Sequence, residues 1–232
     1  MNKNRILITG AILILLAAGI AQFLFPRTAV SPSSSSTVSQ PPTVELNTPA
    51  SLNVKAVSVT PASHPAQVSF AIAQGDNIVS WDFKGVYTGN PELVAKAQDE
   101  INRLSGKLAT ATSSAMILAV GIANQYELLG DGKKQYEYLG RAIRSDATNS
   151  LPWHNLGVLM ERLGALKTAR IAYEKAAFLQ PELSVYHYAY LDFLIQHMKD
   201  DTAGIEKAFA WAEKNIGHAQ YLTELRAKWK TQ

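Results

Sequence analysis

The sequence predicts an all-α chain: a solenoid of helical hairpins carried behind one membrane-spanning helix and a flexible linker. Three observations lead there. The C-terminal half repeats itself at an offset of 34 residues with small and apolar side chains in helical register. Residues 6–25 carry no charge at all. Between these two regions, seven of the ten prolines fall within residues 26–65.

The N-terminal segment is the simplest element. Ile6 to Phe25 is a run of 20 residues built mostly from Ile, Leu, Ala and Phe. A helix of that length spans roughly 30 Å, the thickness of a hydrocarbon core. Lys3 and Arg5 precede it and only Arg27 follows, so the positive-inside bias keeps the short tail, residues 1–5, in the cytoplasm and sends the rest outward. Gly19, Ile20 and Ala21 offer a small-x-small cleavage site, but Phe23, Leu24 and Phe25 continue the apolar run beyond it. An uncleaved signal anchor is therefore expected in preference to a cleaved leader.

Charge follows the same division. The chain of 232 residues carries 22 Lys and Arg against 19 Asp and Glu, net +3, and the first 30 residues alone hold Lys3, Arg5 and Arg27 with no acid. The body is thus neutral, which argues against a nucleic-acid-binding surface. With no cysteine, the chain has no disulfide, thiolate metal site, cysteine nucleophile or lipidated N-terminal Cys.

Residues 26–65 combine the prolines with the run Ser33 to Ser36 and lack any Phe, Trp or Tyr, so they have little to bury and are expected to be a disordered tether. In residues 66–90, Val68, Phe70 and Ile72 alternate with Ser69 and Ala71. Gly75, Asp76 and Asn77 supply turn chemistry, and the segment from Ile78 to Tyr87 is rich in β-branched and aromatic residues. A short hairpin fits, and an extended strap across a helical domain fits equally. Asn90 before Pro91 and Glu92 starts a helix whose residues Leu93, Ala97, Ile101 and Leu104 share one face. This predicts an amphipathic capping helix over 91–106.

The repeat begins thereafter. Leu129-Gly130 recurs as Leu163-Gly164, Leu139 as Tyr173 and Ala142 as Ala176. Residues 150–183 place Trp153, Leu156, Gly157, Gly164, Ala169, Tyr173, Ala176 and Pro181 in the pattern of two antiparallel helices. Gly157 and Ala169 are small where the helices cross, Trp153 and Tyr173 fill the space around them, and Pro181 stops the second helix. In this spacing the unit resembles the tetratricopeptide repeat (TPR), with Met160 the one departure, standing where the family prefers Tyr.

Residues 116–149 form a weaker unit, with Ile122, Ala123, Tyr126, Gly130, Leu139 and Ala142 in register. Ala119, Gln135 and Ala147 replace the usual Trp, Ala and Pro. Residues 184–217 form a degenerate third unit, with Tyr186, Tyr190, Leu191 and Leu194 on its first helix and a second helix from about Ile205 to Asn215 carrying Ala208 and Ala212. The remaining residues place Leu222, Leu225 and Trp229 on one stripe, as a solvating cap helix does. The TPR solenoid is thus expected over 111–232.

Reactive chemistry is hard to find. No phosphate-cradling glycine loop, nucleophile elbow or His-Glu metal helix is present. His187 and His197 are ten residues apart without a carboxylate at ligand spacing, and His64, His154 and His218 stand alone, so no metal or other cofactor is expected. Asp76 and Asp82 flank the aromatic segment, but turn and surface positions explain them more simply than a catalytic pair does. Asp200 and Asp201 are expected to cap the following helix.

Resemblance to the TPR family implies a binding groove on the first helices. The implied lining residues are Val120 and Asn124 in the first unit, His154, Val158 and Glu161 in the second, and Tyr188 and Asp192 in the third. Family members that clamp a chaperone's C-terminal carboxylate use two asparagines and three cations. Asn124 and Asn155 match the asparagines, but Val120, Val185 and Ala189 stand where the cations belong, and a carboxylate without a cation has no strong partner.

The function expected is a membrane-anchored protein-interaction scaffold or assembly factor of a bacterial inner membrane, single-pass, with its groove toward the periplasm or cell exterior, binding a protein or peptide segment without covalent chemistry. The alternative is a self-associating envelope protein in which the third unit and Trp229 stack on another copy. An enzyme hidden in residues 66–110 would have to borrow a groove residue such as His154, because so short a segment cannot build a site alone.

Overall fold

In a computed structural model, residues 71–231 are described. The spanning helix expected at 6–25, the linker at 26–65 and residues 66–70 of the following segment lie outside them. The regular secondary structure of the described region is all helical, with no strand, and residues 71–90 precede the first helix. Its helices are α1 (Pro91–Leu108), α2 (Ala115–Leu129), α3 (Gly132–Ser145), α4 (Ser150–Arg162), α5 (Leu166–Leu179), α6 (Ser184–His197), α7 (Thr202–Ile216) and α8 (Gln220–Lys230). Among the described residues no helix is long and apolar enough to cross a membrane.

Local chemistry sets most of the boundaries. Asn90 caps α1, its Oδ1 accepting the Leu93 N–H at 3.2 Å, with Pro91 in the first turn. Asp131 caps α3 through the Lys134 N–H at 2.8 Å, and Asn149 caps α4 through the Leu151 N–H at 3.0 Å. Of the two acids expected before α7, Asp201 is the cap, accepting from Gly204 N–H at 2.9 Å. The α2 helix ends at Gly130, whose φ of 84° is left-handed.

Each helix packs on its neighbours in sequence, and α8 closes the far end against α6 and α7. The result is a stack of helical hairpins: α2–α3, α4–α5 and α6–α7, flanked by α1 and α8. One apolar core runs from Ala123 in α2 to Leu225 in α8, because a single hairpin cannot bury its own apolar face. In the central hairpin Leu156, Ala169, Tyr173 and Ala176 are buried together with Trp153 and Met160. A Cβ at Gly157 would meet the Tyr173 ring at 2.8 Å, so this glycine is the seat of an aromatic ring between the two helices. Pro181 follows the end of α5, and its carbonyl lies 2.7 Å from His187 Nε2. At the far end Trp229 stacks on Phe209 with ring centroids 5.9 Å apart.

Residues 71–90 form neither a hairpin nor a paired strand; their only β contact is an isolated bridge between Asp82 and Asp131. The segment is an extended strap across the turns of two hairpins. Backbone hydrogen bonds join it to the turn between α2 and α3: Phe83 N–H to Gly130 O at 3.0 Å, Gly132 N–H to Trp81 O at 3.0 Å and Tyr87 N–H to Leu128 O at 2.9 Å. So close an approach leaves no room for side chains. A Cβ at Gly130 would overlap the Phe83 carbonyl oxygen, and one at Gly85 the Leu128 carbonyl oxygen. Ile72, Ile78, Trp81 and Phe83 turn inward onto the core.

Candidate functional site: the face of the first helices

The first helices of the three hairpins, α2, α4 and α6, carry the residues expected to line a groove, and α8 packs beside α6. Two of those residues are not available to a partner. Val120 is 1% exposed, packed with Ala119 and Ala142, and His154 is 7% exposed, enclosed by the rings of Tyr173 and Tyr186 at centroid distances of 5.7 and 5.5 Å. Both sit where the first helix meets a neighbouring helix, so their apolar or aromatic surroundings take up the whole side chain. Burial lowers the His154 pKa to about 4 and keeps the ring neutral. His154 Nδ1 is buried without a hydrogen-bond partner.

The other five residues, Asn124, Val158, Glu161, Tyr188 and Asp192, are half-buried. A series of polar contacts joins this face from helix to helix. Between α2 and α4, Asn155 Nδ2 donates to Asn124 Oδ1 at 3.2 Å, and Arg162 Nη2 donates to Glu127 Oε1 at 2.9 Å. Between α4 and α6, His197 Nε2 lies 2.9 Å from Glu161 Oε1. Between α6 and α8, Tyr221 O–H donates to Asp192 Oδ2 at 3.0 Å while its ring lies 4.4 Å from that of Tyr188. Every adjacent pair of these helices is therefore cross-linked by at least one polar contact.

Electrostatics at the face follow from these partners. Glu127 is buried, and Gln135 Nε2 also reaches it, at 3.4 Å. Glu161 accepts the Tyr173 hydroxyl at 2.7 Å as well as meeting His197. Burial, then the Glu161 carboxylate, push the Tyr173 phenol far above its ordinary range. Burial and the Asp192 carboxylate push Tyr221 up to about 12. Both phenols therefore stay protonated and act as donors at neutral pH. Among the described residues no group of three or more His, Cys, Asp or Glu gathers that could hold a metal ion.

Several of these contacts were not foreseen from sequence. Tyr221 and His197 complete the face, yet neither lies at a position of the repeat pattern that marks a groove. Arg162 lies with its guanidinium 4.6 Å over the Phe83 ring of the strap, which couples the strap to the face. Asp76 is the clearest case. Its carboxylate accepts the backbone N–H of Lys167 at 3.1 Å, the N–H of Thr168 at 2.7 Å and the Thr168 hydroxyl at 2.6 Å. It thus caps the N-terminus of α5 from about 90 residues away, while Ala165, the residue before α5, offers no capping side chain. Burial opposes ionisation of Asp76, but these hydrogen bonds outweigh it and hold its pKa below the ordinary value. Ala165 shows only that a cap is missing: a helix start without Ser, Thr, Asp or Asn needs an acceptor for its N–H groups from elsewhere, and nothing local names it.

No family model matches the chain, and no curated protein matches it. The face is a row of half-buried polar and apolar side chains, spaced by helix pairs and joined from helix to helix by polar contacts.

Proposed function

We propose that this chain is a membrane-anchored scaffold or assembly factor, a TPR-type solenoid that holds a segment of another protein against the face of α2, α4, α6 and α8. In this reading residues 6–25 anchor it in the inner membrane of a bacterium, residues 26–65 tether it, and the solenoid stands on the periplasmic side. The repeat pattern and the charge asymmetry of the N-terminus support the reading.

The observation that carries it is the polar cross-linking of consecutive first helices, from Asn124–Asn155 through Glu161–His197 to Asp192–Tyr221. A face fixed in this way costs little ordering entropy on binding, and its half-buried Val158 and Tyr188 offer apolar contact between hydrogen-bonding neighbours. With Val120 and His154 buried, the contact surface centres on Asn124, Asn155, Val158, Glu161, Tyr188 and Asp192.

The test is an affinity pull-down from detergent-solubilised membranes with the full chain and with a Val158→Glu, Tyr188→Glu variant. One protein lost selectively with the variant, at unchanged helical circular dichroism, supports the reading. An identical set of captured proteins refutes it.

A further inference from the structure

On the opposite side of the stack, the second helices α5 and α7 carry a surface that the groove reading does not use. Ile171 and Phe178, seven residues apart and so on one stripe of α5, are 53% and 63% exposed. Phe178 stacks on Trp211 of α7 with ring centroids 6.0 Å apart and planes 16° from parallel. On α7, Lys207 and Lys214 fall one turn to either side of Trp211, and Lys214 Nζ lies 5.7 Å from the Trp211 ring centroid. Lys175 precedes Phe178 by one turn of α5. Cations outnumber acids on this surface by four to three: Lys175, Lys207, Lys214 and Arg226 stand against Glu174 beside Lys175 and against Glu206 and Glu213, both of which pair with Arg226.

We propose that this face is a docking surface for an anionic lipid bilayer. The argument is charge complementarity combined with side-chain type. Stacked Phe and Trp rings with an exposed Ile bury favourably at the headgroup boundary, and Trp is enriched there. Lysines beside the rings keep their ammonium groups among lipid phosphates while their stems lie along the apolar surface. An acidic protein would match the charge as well, but an exposed Ile171 and Phe178 beside the half-buried Trp211, with lysines at their edges, match a fluid interface with no shaped counterpart. The domain would then lie on the membrane through its second helices and leave the first-helix face turned away from lipid. The proposal borrows from the proposed function only that the chain lives within reach of a membrane.

The test uses the full chain reconstituted into vesicles of phosphatidylcholine alone or with phosphatidylglycerol, in each case with and without brominated acyl chains that quench tryptophan at the interface. All four tryptophans, Trp81, Trp153, Trp211 and Trp229, lie outside residues 6–25, so the anchor contributes no signal. Bromine quenching is expected in the anionic vesicles and is expected to disappear in Trp211→Phe. Each of Lys207→Gln and Lys214→Gln should lower the docked-to-free ratio about fivefold, the effect of one lysine near an anionic surface. Phe178→Ser, at an exposed position, should abolish docking without altering helical circular dichroism. Quenching that is absent, that persists in Trp211→Phe, or that is equal in both lipid mixtures overturns the proposal, as does protection of Trp211 only in a cross-linked complex with another protein. Alkaline carbonate extraction before the measurement separates the two readings: a chain that stays in the vesicles but shows no Trp211 quenching fails the docking proposal alone, whereas a chain that washes out fails the anchor.

Discussion

The strap and α8, which both pack against the helical hairpins, are held by different means. The strap meets the turn of the first hairpin through backbone hydrogen bonds, with Phe83, Trp81 and Tyr87 paired to residues 128–132. At the C-terminal end α8 meets α6 and α7 through side chains: Trp229 on Phe209, Tyr221 on Tyr188 and Asp192, and Arg226 between Glu206 and Glu213. Backbone-to-backbone docking demands positions without a Cβ and tolerates no change there. Side-chain docking spreads its energy over several replaceable contacts. The strap should therefore fail abruptly at single positions, and the C-terminal cap should fail by degrees.

The largest effect is expected at Gly130. A side chain there meets both a left-handed φ of 84° and the Phe83 carbonyl oxygen. Gly130→Val should cost about 3 kcal/mol or more, read by chemical denaturation, with amide exchange rising first in α2, α3 and the strap. Loss of stability spread evenly to α8 would erase the distinction between the strap and α8.

Next comes a pH dependence centred on the middle hairpin. Unfolded His154 takes up a proton as pH falls through about 6.5, while the buried ring does so only near about 4. The unfolded state thus binds more protons between these values, and the native state loses stability as pH falls across that window, on the order of 3 kcal/mol in total. His154→Phe, which keeps a ring between Tyr173 and Tyr186, should flatten the slope in urea titrations at stepped pH. An unchanged slope would place the titrating group elsewhere.

A smaller effect is expected for Asp76→Ala. Removing the tertiary cap of α5 should cost about 1 to 2 kcal/mol. Because the folded pKa of Asp76 lies below its ordinary value, its contribution is present above about pH 4 and is lost as pH falls through the folded value. The variant should lack that acid loss. Exchange should rise at the start of α5 and in the strap, with α8 unaffected. The smallest effect belongs to the C-terminal cap: Tyr221→Phe removes one hydrogen bond to Asp192 but keeps the ring on Tyr188, and should cost under about 1 kcal/mol, detectable as faster exchange in α8 alone.

The same contrast explains what the sequence disclosed. Small residues at 157 and 169, the apolar stripe of Ala97, Ile101 and Leu104, and the caps Asn90 and Asp201 are local signals, and helices form at each of them. The expected helix over 91–106 extends to Leu108, and the second helix expected from Ile205 starts at Thr202, because the Asp201 cap begins the helix one turn before its first buried apolar residue, Ile205. Ile78, Trp81 and Phe83 suit a hairpin and an extended strap equally, and only the distant turn glycines Gly130 and Gly132 decide between them. At the candidate site, the half-buried positions such as Val158 and Tyr188 follow from helical register, whereas the burial of Val120 and His154 depends on how closely neighbouring helices approach. Asp76 shows the same limit: its partner lies about 90 residues away, and no local pattern encodes it.

The central claim is that the first-helix face holds a partner. Site-specific photo-crosslinking in intact cells tests it most directly, with the crosslinking residue placed at Val158, at Tyr188, or at Lys96 on the exposed side of α1 as a control. The account predicts one common adduct from Val158 and Tyr188 that is absent from Lys96. Equal adducts from all three positions, or none from Val158 and Tyr188, would contradict it.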